Sequence, residues 1–302
     1  MKLRRRIDTR GGTTRSVLQI ERAGAWVDLE EPATDDASEL GWISRLSPDA
    51  TDPAAATLPI APRSFRDCAL FDRHWVQSSR GYARRFLPLG HRLTRVYEAL
   101  SGRTFPAFQP HVLSRRQPLY YFGNHLTFVA SGTPVKAPAY TQALDYELEL
   151  GFVLSKPLLD ATPEEALDAI GGFVVIDDWS ARDVQRAEMR TGLGPQKCKH
   201  FLSSMSETLV TADEILPRVN LLPAFVEING QIVARTSTEE MRPGLGEVLA
   251  HLSKGERLYP GELIASGTLP DGCGMENGHW PKPGDVLRLV IEPVGEIVHT
   301  VL

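Results

Sequence analysis

LDYELELGFVL, Leu144 to Leu154, is the stretch from which the rest of the chain can be read. Its acids and apolar residues alternate as a strand requires, and residues two apart on a strand project from one face. Glu147 and Glu149 therefore point the same way. Two carboxylates that close repel each other, and beside an apolar core neither stays ionised without a positive charge between them. A hard divalent cation held by oxygen ligands answers that need. The plainer alternative is an edge strand whose solvent face carries two glutamates. The flanking segments decide between them.

The whole chain sets the bounds. Its 302 residues are 42% hydrophobic, enough for one large domain or a large one with a small one. With 22 prolines and 25 glycines it contains many turns, which suits a β-rich fold better than a helix bundle. A net charge of −5 argues against a nucleic-acid or anionic-membrane partner. The basic run Leu3 to Arg6 is not followed by an apolar segment, so no secretory signal is read. No apolar run approaches the roughly 18 residues that span a bilayer. Cys68, Cys198 and Cys273 are odd in number and widely spaced, which predicts free thiols and a cytoplasmic location.

Residues 1–60 read as a small N-terminal β domain with its linker, and residues 61–302 as a second, larger domain. Ser16 to Glu21 and Ala25 to Leu29 predict two short strands joined at Gly24. A Pro-, Ala-, Asp- and Thr-rich stretch runs from Glu31 to Ala61. Ser64 to Val76 then reads as a helix with Asp67, Phe71 and His74 on one stripe. Asp67 and His74 would stand about 10 Å apart along such a helix, serving one pocket without touching. The alternative is a solvated aspartate and a half-buried histidine. Arg84, Arg85, Arg92 and Arg95 form a basic patch, either a solvated face or a source of one arginine for a substrate carboxylate.

The strand signal of GGFVVIDDWSARDVQ, Gly171 to Gln185, stops at Asp177 and Asp178, which puts more acids at a sheet edge. GLGPQKCKHFLSS, Gly192 to Ser204, is a glycine-opened loop bearing Lys197 and Lys199. Asn229-Gly230 is a strong hairpin signal. A strand from Glu262 runs into Thr268, and DGCGMENG, Asp271 to Gly278, reads as a flexible loop carrying Glu276. Two glutamates, an aspartate from the Asp177–Asp178 pair and Asp67 would give four oxygen ligands, a set suited to Mg²⁺, Ca²⁺ or Mn²⁺. Zinc is disfavoured because no CxxC or HExxH spacing occurs.

Taken in order, the D-x6-H element, LDYELEL, DDWSARDVQ, GPQKCKHF, SGT and the closing PGD resemble the fumarylacetoacetate hydrolase family over about residues 63–302. That resemblance implies a β-rich α+β fold, a mixed β-sheet roll with a small N-terminal β domain, assembled as a homodimer. It implies metal ligation by Asp67, Glu147, Glu149 and Asp178, with Mg²⁺ ahead of Ca²⁺ or Mn²⁺. His74 matches the family's water-activating base, Glu276 its partner, and Arg182, Gln185 and Lys199 the groups that stabilise oxyanions. Thr268 matches a substrate contact. Ala69 and Met189 stand where the animal enzyme's pattern has tyrosines, which implies a roomier, more apolar pocket and a diketo or keto-acid substrate other than fumarylacetoacetate. The implied activity is hydrolysis of a carbon–carbon bond in a 1,3-diketone or acylpyruvate. Relatives within the fold decarboxylate, isomerise or tautomerise, or hydrate 2-keto and 2-hydroxydienoic acids. A non-catalytic, metal-dependent binding protein is the alternative from another class.

Overall fold

The protein, seen in a computed structural model, is described at residues 1–9, 13–29 and 40–302. The Pro- and Ala-rich stretch from Glu31 lies outside the described residues as far as position 39. Along the chain come β1 (Lys2–Asp8), β2 (Arg15–Arg22), β3 (Ala25–Asp28), α1 (Gly41–Ser44) and β4 (Ser64–Cys68). Two longer helices follow, α2 (Asp72–Phe86) and α3 (Pro88–Ser101). Then come β5 (Tyr120–Gly123), β6 (Phe128–Ala130), β7 (Leu144–Asp145), β8 (Glu147–Leu154), α4 (Pro163–Leu167) and β9 (Ile170–Asp177). Next are β10 (Ser180–Ala181), α5 (Arg182–Met189), β11 (Ser203–Met205), β12 (Thr208–Thr211) and α6 (Ala212–Ile215). The last part holds β13 (Pro223–Ile228), β14 (Gln231–Ser237), α7 (Leu245–Leu252) and β15 (Glu262–Cys273). It closes with α8 (Gly274–Asn277), β16 (Val286–Ile291) and β17 (Gly295–Thr300).

Eleven strands form one mixed sheet whose main path runs β3-β2-β1-β12-β9-β8-β15-β4-β5, with β11 and β6 attached at β9. A second sheet runs β14-β13-β16-β17. β8 lies between β9 and β15, and every one of its residues is buried. The edge-strand alternative is thereby excluded. Its even-numbered side chains, Leu148, Leu150 and Phe152, pack in one core with Val226, Leu287 and Leu289 of the second sheet. Its odd-numbered face carries Glu147 and Glu149, then Val153, which joins a second core. Leu3, Leu18, Ile43 and Ile60 pack in that second core too, and β1 hydrogen-bonds to β12. β1, β2 and β3 thus extend the main sheet.

Several local signals are met. Asn229 and Gly230 both take positive φ in the β13–β14 hairpin, and Thr162 and Glu165 form the capping box that starts α4. All three cysteines are free and buried. No helix among the described residues is long and apolar enough to cross a membrane.

Two expectations are corrected. Ser64–Cys68 is a strand, so Asp67 and His74 do not share a helix. The edge of β15 takes up β4 in parallel, Ser64 opposite Glu262 and Asp67 opposite Ala265, and this tertiary pairing outweighs a short apolar pattern that fits either period. The segment bearing Glu276 is not a flexible loop. It is the end of β15 followed by the single turn of α8, with both Gly274 and Met275 N–H groups donating to the Asp145 carboxylate.

Candidate active site

Two strands and the residue that follows a third deliver the acids. Glu147 and Glu149 come from β8, Asp67 from β4 and Asp178 from the residue after β9. Thr268 of β15 lies between the two strands, and its hydroxyl donates to Glu149 Oε1 at 3.3 Å. Gly267 makes this crowding possible. A side chain there would put Cβ 2.2 Å from the Cys68 carbonyl oxygen, and its φ of +79° suits glycine. One ligand atom from each of the four acids lies within 4.8 Å of the others, and all four residues are buried.

Cations enter from the other side. Lys199 Nζ donates to Asp178 Oδ2 at 2.6 Å and to Glu147. Arg182 Nη2 donates to Glu147 Oε1 at 2.6 Å, and its Nε to Asp145 Oδ2 at 2.8 Å. Gln185 Oε1 accepts from Arg182 Nη1 at 3.1 Å. Burial disfavours the charged form of Glu147, yet Arg182 and Lys199 more than offset it and hold this carboxyl well below the usual range. Burial likewise opposes the Lys199 ammonium, but Asp178 and Glu147 raise it, so Lys199 stays charged.

Asp67 and Glu149 receive no such cation. Burial, then the charges of Asp178 and Glu147, pushes the Asp67 carboxyl up to about 7. Burial, then Asp67 and its acidic neighbours, pushes Glu149 well above the usual range. Asp67 Oδ1 and Glu149 Oε2 are buried with no hydrogen-bond partner. Orphaned carboxylate oxygens at a shared point, with a surplus of acids around them, form a donor set that fits a hard dication.

His74 stands at the start of α2, with Nε2 3.9 Å from Glu147 Oε1 and Nδ1 2.9 Å from Glu276 Oε2. The Glu276 contact is close but poorly aligned, as such contacts often are before substrate arrives. Burial lowers the imidazole's proton affinity, but the adjacent Glu276 carboxylate more than offsets it and raises the group. The pairing depends on Gly81, where a Cβ would meet the Met275 carbonyl oxygen at 1.8 Å, so α2 can lie directly on α8.

A cavity of about 780 Å³ opens over these groups. Its wall includes His74, Asp67, Glu147, Glu149, Arg182, Gln185, Lys199, Thr268, Ala69 and Met189, so the structure brings these expected residues together. Asp178 and Glu276 act from behind that wall. Arg84 does not join them. Its Nη2 donates at 3.3 Å to the Met275 and Glu276 carbonyl oxygens, which ties α2 to α8 and leaves it unsuited to the substrate role expected of it.

Three participants escaped the reading of the sequence. Asp145 is fully buried and orients both Arg182 and the start of α8. It precedes Glu147 by two residues, so the strand alternation that found the glutamates marks Asp145 as well. Tyr121 donates to Asp178 Oδ2 at 2.6 Å and Ser203 to Asp178 Oδ1 at 3.2 Å. Neither carries a sequence signal of its own.

The family model for the fumarylacetoacetate hydrolase C-terminal domain matches residues 98–302. Asp67 and His74 lie ahead of the matched span. The chain is similar to human oxaloacetate tautomerase FAHD1, mitochondrial, with 30% identity over 158 residues, covering 52% of this chain and 71% of that protein. Among solved structures it is similar to fumarylacetoacetate hydrolase from psychrophilic Exiguobacterium antarcticum, with a TM-score of 0.69, 22% identity and 99% of both chains covered. It is also similar to fumarylpyruvate hydrolase from Pseudomonas aeruginosa in complex with Mn²⁺ and pyruvate. There the TM-score is 0.59 at 19% identity, covering 83% of this chain and 93% of that one. At those identities the two structures speak to the fold, a large mixed sheet with few helices of the β-rich α+β type.

Proposed function

The chain belongs to the fumarylacetoacetate hydrolase family, and on that premise we propose that it is a metal-dependent hydrolase cleaving a carbon–carbon bond in a 1,3-diketone or acylpyruvate. The observation that carries this reading is the pair of buried, partnerless oxygens on Asp67 and Glu149, set beside a histidine that leans on its own glutamate. Asp67, Glu147, Glu149 and Asp178 would hold one dication. Mg²⁺ is our first choice, with Mn²⁺ and Ca²⁺ as alternatives. When bound, such an ion supplies Lewis-acid polarisation of substrate oxygens.

The protein's own residues do the rest. With Nδ1–H directed at Glu276, His74 Nε2 keeps its lone pair and takes a proton from water. The hydroxide oxygen bonds to one substrate carbonyl carbon, whose oxygen becomes an oxyanion. Lys199 and Arg182, fixed in charge and position, stabilise it together with the Gln185 amide. The bond to the central carbon then breaks, its electron pair passing into the enolate of the departing fragment. His74 returns its proton to that carbon, leaving a carboxylic acid and a ketone. A small diketo acid is the natural partner of such a site, and we add a homodimeric assembly and a cytoplasmic location as expectations of the resemblance.

A second reading has its own support, since a relative of 30% identity is named as an oxaloacetate tautomerase. There His74 would shuttle a proton between carbon and oxygen without adding water. Product analysis with a diketo-acid panel and oxaloacetate, with each ion and after chelation, separates the readings. Two carbon fragments support hydrolysis. Keto–enol interconversion without cleavage supports tautomerisation, and carbon dioxide release supports decarboxylation.

A further inference from the structure

The cavity is larger than its acidic end requires. A four-carbon keto diacid has about nine non-hydrogen atoms. At the roughly 30 Å³ that a water occupies in the liquid, such a molecule fills about a third of the 780 Å³ present. Aromatic and small side chains build the remainder. Trp75, Tyr82 and Ala83 of α2 line it, with Phe105 and Phe108 from the segment after α3 and Met189 of α5. His74 and Ala83 stand about 13 Å apart along the α2 axis, so this wall continues well beyond the carboxylates.

Of the cations lining the cavity, Arg182 and Lys199 are held by acids at its polar end, and the Arg186 guanidinium lies 5.2 Å from the Tyr82 ring, against the aromatic wall. Trp75, Tyr82, Phe105 and Phe108 dominate that wall, and an aromatic-lined chamber selects an apolar group.

We propose that the site takes a 2-oxo or 2,4-dioxo acid whose far end is an uncharged, ring-sized acyl group, seated among Trp75, Tyr82, Phe105 and Phe108. The polar end of this substrate rests on the diketo-acid reading above, whereas the tail rests on the cavity alone. The relative named as an oxaloacetate tautomerase therefore differs from this chain in the size and polarity of the molecule accepted.

The test uses the full chain with Mn²⁺ and a series of 2,4-dioxo acids with methyl, butyl and phenyl tails, with oxaloacetate alongside. From methyl to phenyl, kcat/KM should rise roughly tenfold to a hundredfold, the value of burying a ring-sized group. Ser79→Phe, which fills the chamber, and Tyr82→Ala, which removes one wall, should each bring the phenyl-to-methyl ratio towards one. A wild-type ratio of one or less, or variants that keep the wild-type ratio, would overturn the proposal. Calorimetric affinities of the same acids for the His74→Ala protein separate the tail from the chemistry. Affinity that climbs with the tail while the wild type cleaves none of the acids upholds the tail assignment and rejects the hydrolase reading. Cleavage that favours methyl, with affinity flat across the series, does the reverse.

Discussion

Arg66 and Asp67 are neighbours on β4, and strand geometry turns them to opposite faces of the same sheet. Both are buried, yet their surroundings differ in charge balance. The Arg66 guanidinium is paired with Glu262 and Glu256 and lies 4.6 Å from the Phe122 ring. Glu262 is held in turn by the Ser64 hydroxyl and the Tyr259 N–H, each at 2.8 Å. On the other face, Asp67 meets Glu147, Glu149 and Asp178, while Lys199 and Arg182 supply the positive charge and Arg182 is shared with Asp145. A fold buries matched charge to fix its own geometry. Buried charge left unmatched is a place kept for something else.

The comparison can be broken first at the histidine. On the Asp67 side the loss of a side chain should cost function more than fold. His74→Ala should lower kcat by about 10² to 10⁴ while the dication still binds, as read by calorimetry. Unchanged turnover would remove His74 from its role. On the other side the reverse is expected. Arg66→Met leaves Glu262 buried without its cation and should cost about 3–5 kcal/mol of stability, measured by denaturant unfolding, with turnover per folded molecule retained.

Acidity sharpens the contrast. In chelated protein the Asp67 carboxyl titrates at about 7 when folded, against about 4 when unfolded. The folded chain holds that proton more tightly, so this group's stabilisation is complete below pH 4 and is lost as pH rises to 7. Relative to Asp67→Asn, chelated wild type should therefore lose on the order of 2 kcal/mol between pH 5 and pH 7, and saturating dication should abolish the difference. Parallel stability curves for the two chelated proteins would contradict the imbalance. The smallest effect is expected at Tyr121, whose hydroxyl orients Asp178. Tyr121→Phe should weaken dication affinity by about tenfold, which a competition titration with a chelator resolves.

Much of this site was legible before the fold. Alternation alone puts Glu147 and Glu149 on one face, because acids occupy one side of β8 there and leucines the other. The abrupt end of the β9 run marks the pair Asp177 and Asp178, and only the family resemblance singles out Asp178. Asp145 obeys the same spacing and was passed over, since a carboxylate that binds backbone N–H groups and an arginine looks no different in sequence from a ligand. The sequence offers Asp67 as a candidate ligand but on the wrong element. Five residues with one large apolar side chain cannot distinguish a strand from a first helical turn, and the edge of β15 that decides the matter lies nearly two hundred residues away. Arg84 shows the converse limit. A cation near a site is equally able to hold substrate or to hold carbonyls, and only the packing of α2 on α8 assigns it to the carbonyls.

The claim beneath all of this is that the four acids share one dication, and calorimetric titration of the chelated full chain with Mn²⁺ addresses it directly. Wild type should bind one ion per chain, and Glu149→Gln, which removes one of the two carboxylates that lack a countercharge, should bind it at least a hundredfold more weakly. No stoichiometric binding by wild type, or equal affinity in the two proteins, would contradict it.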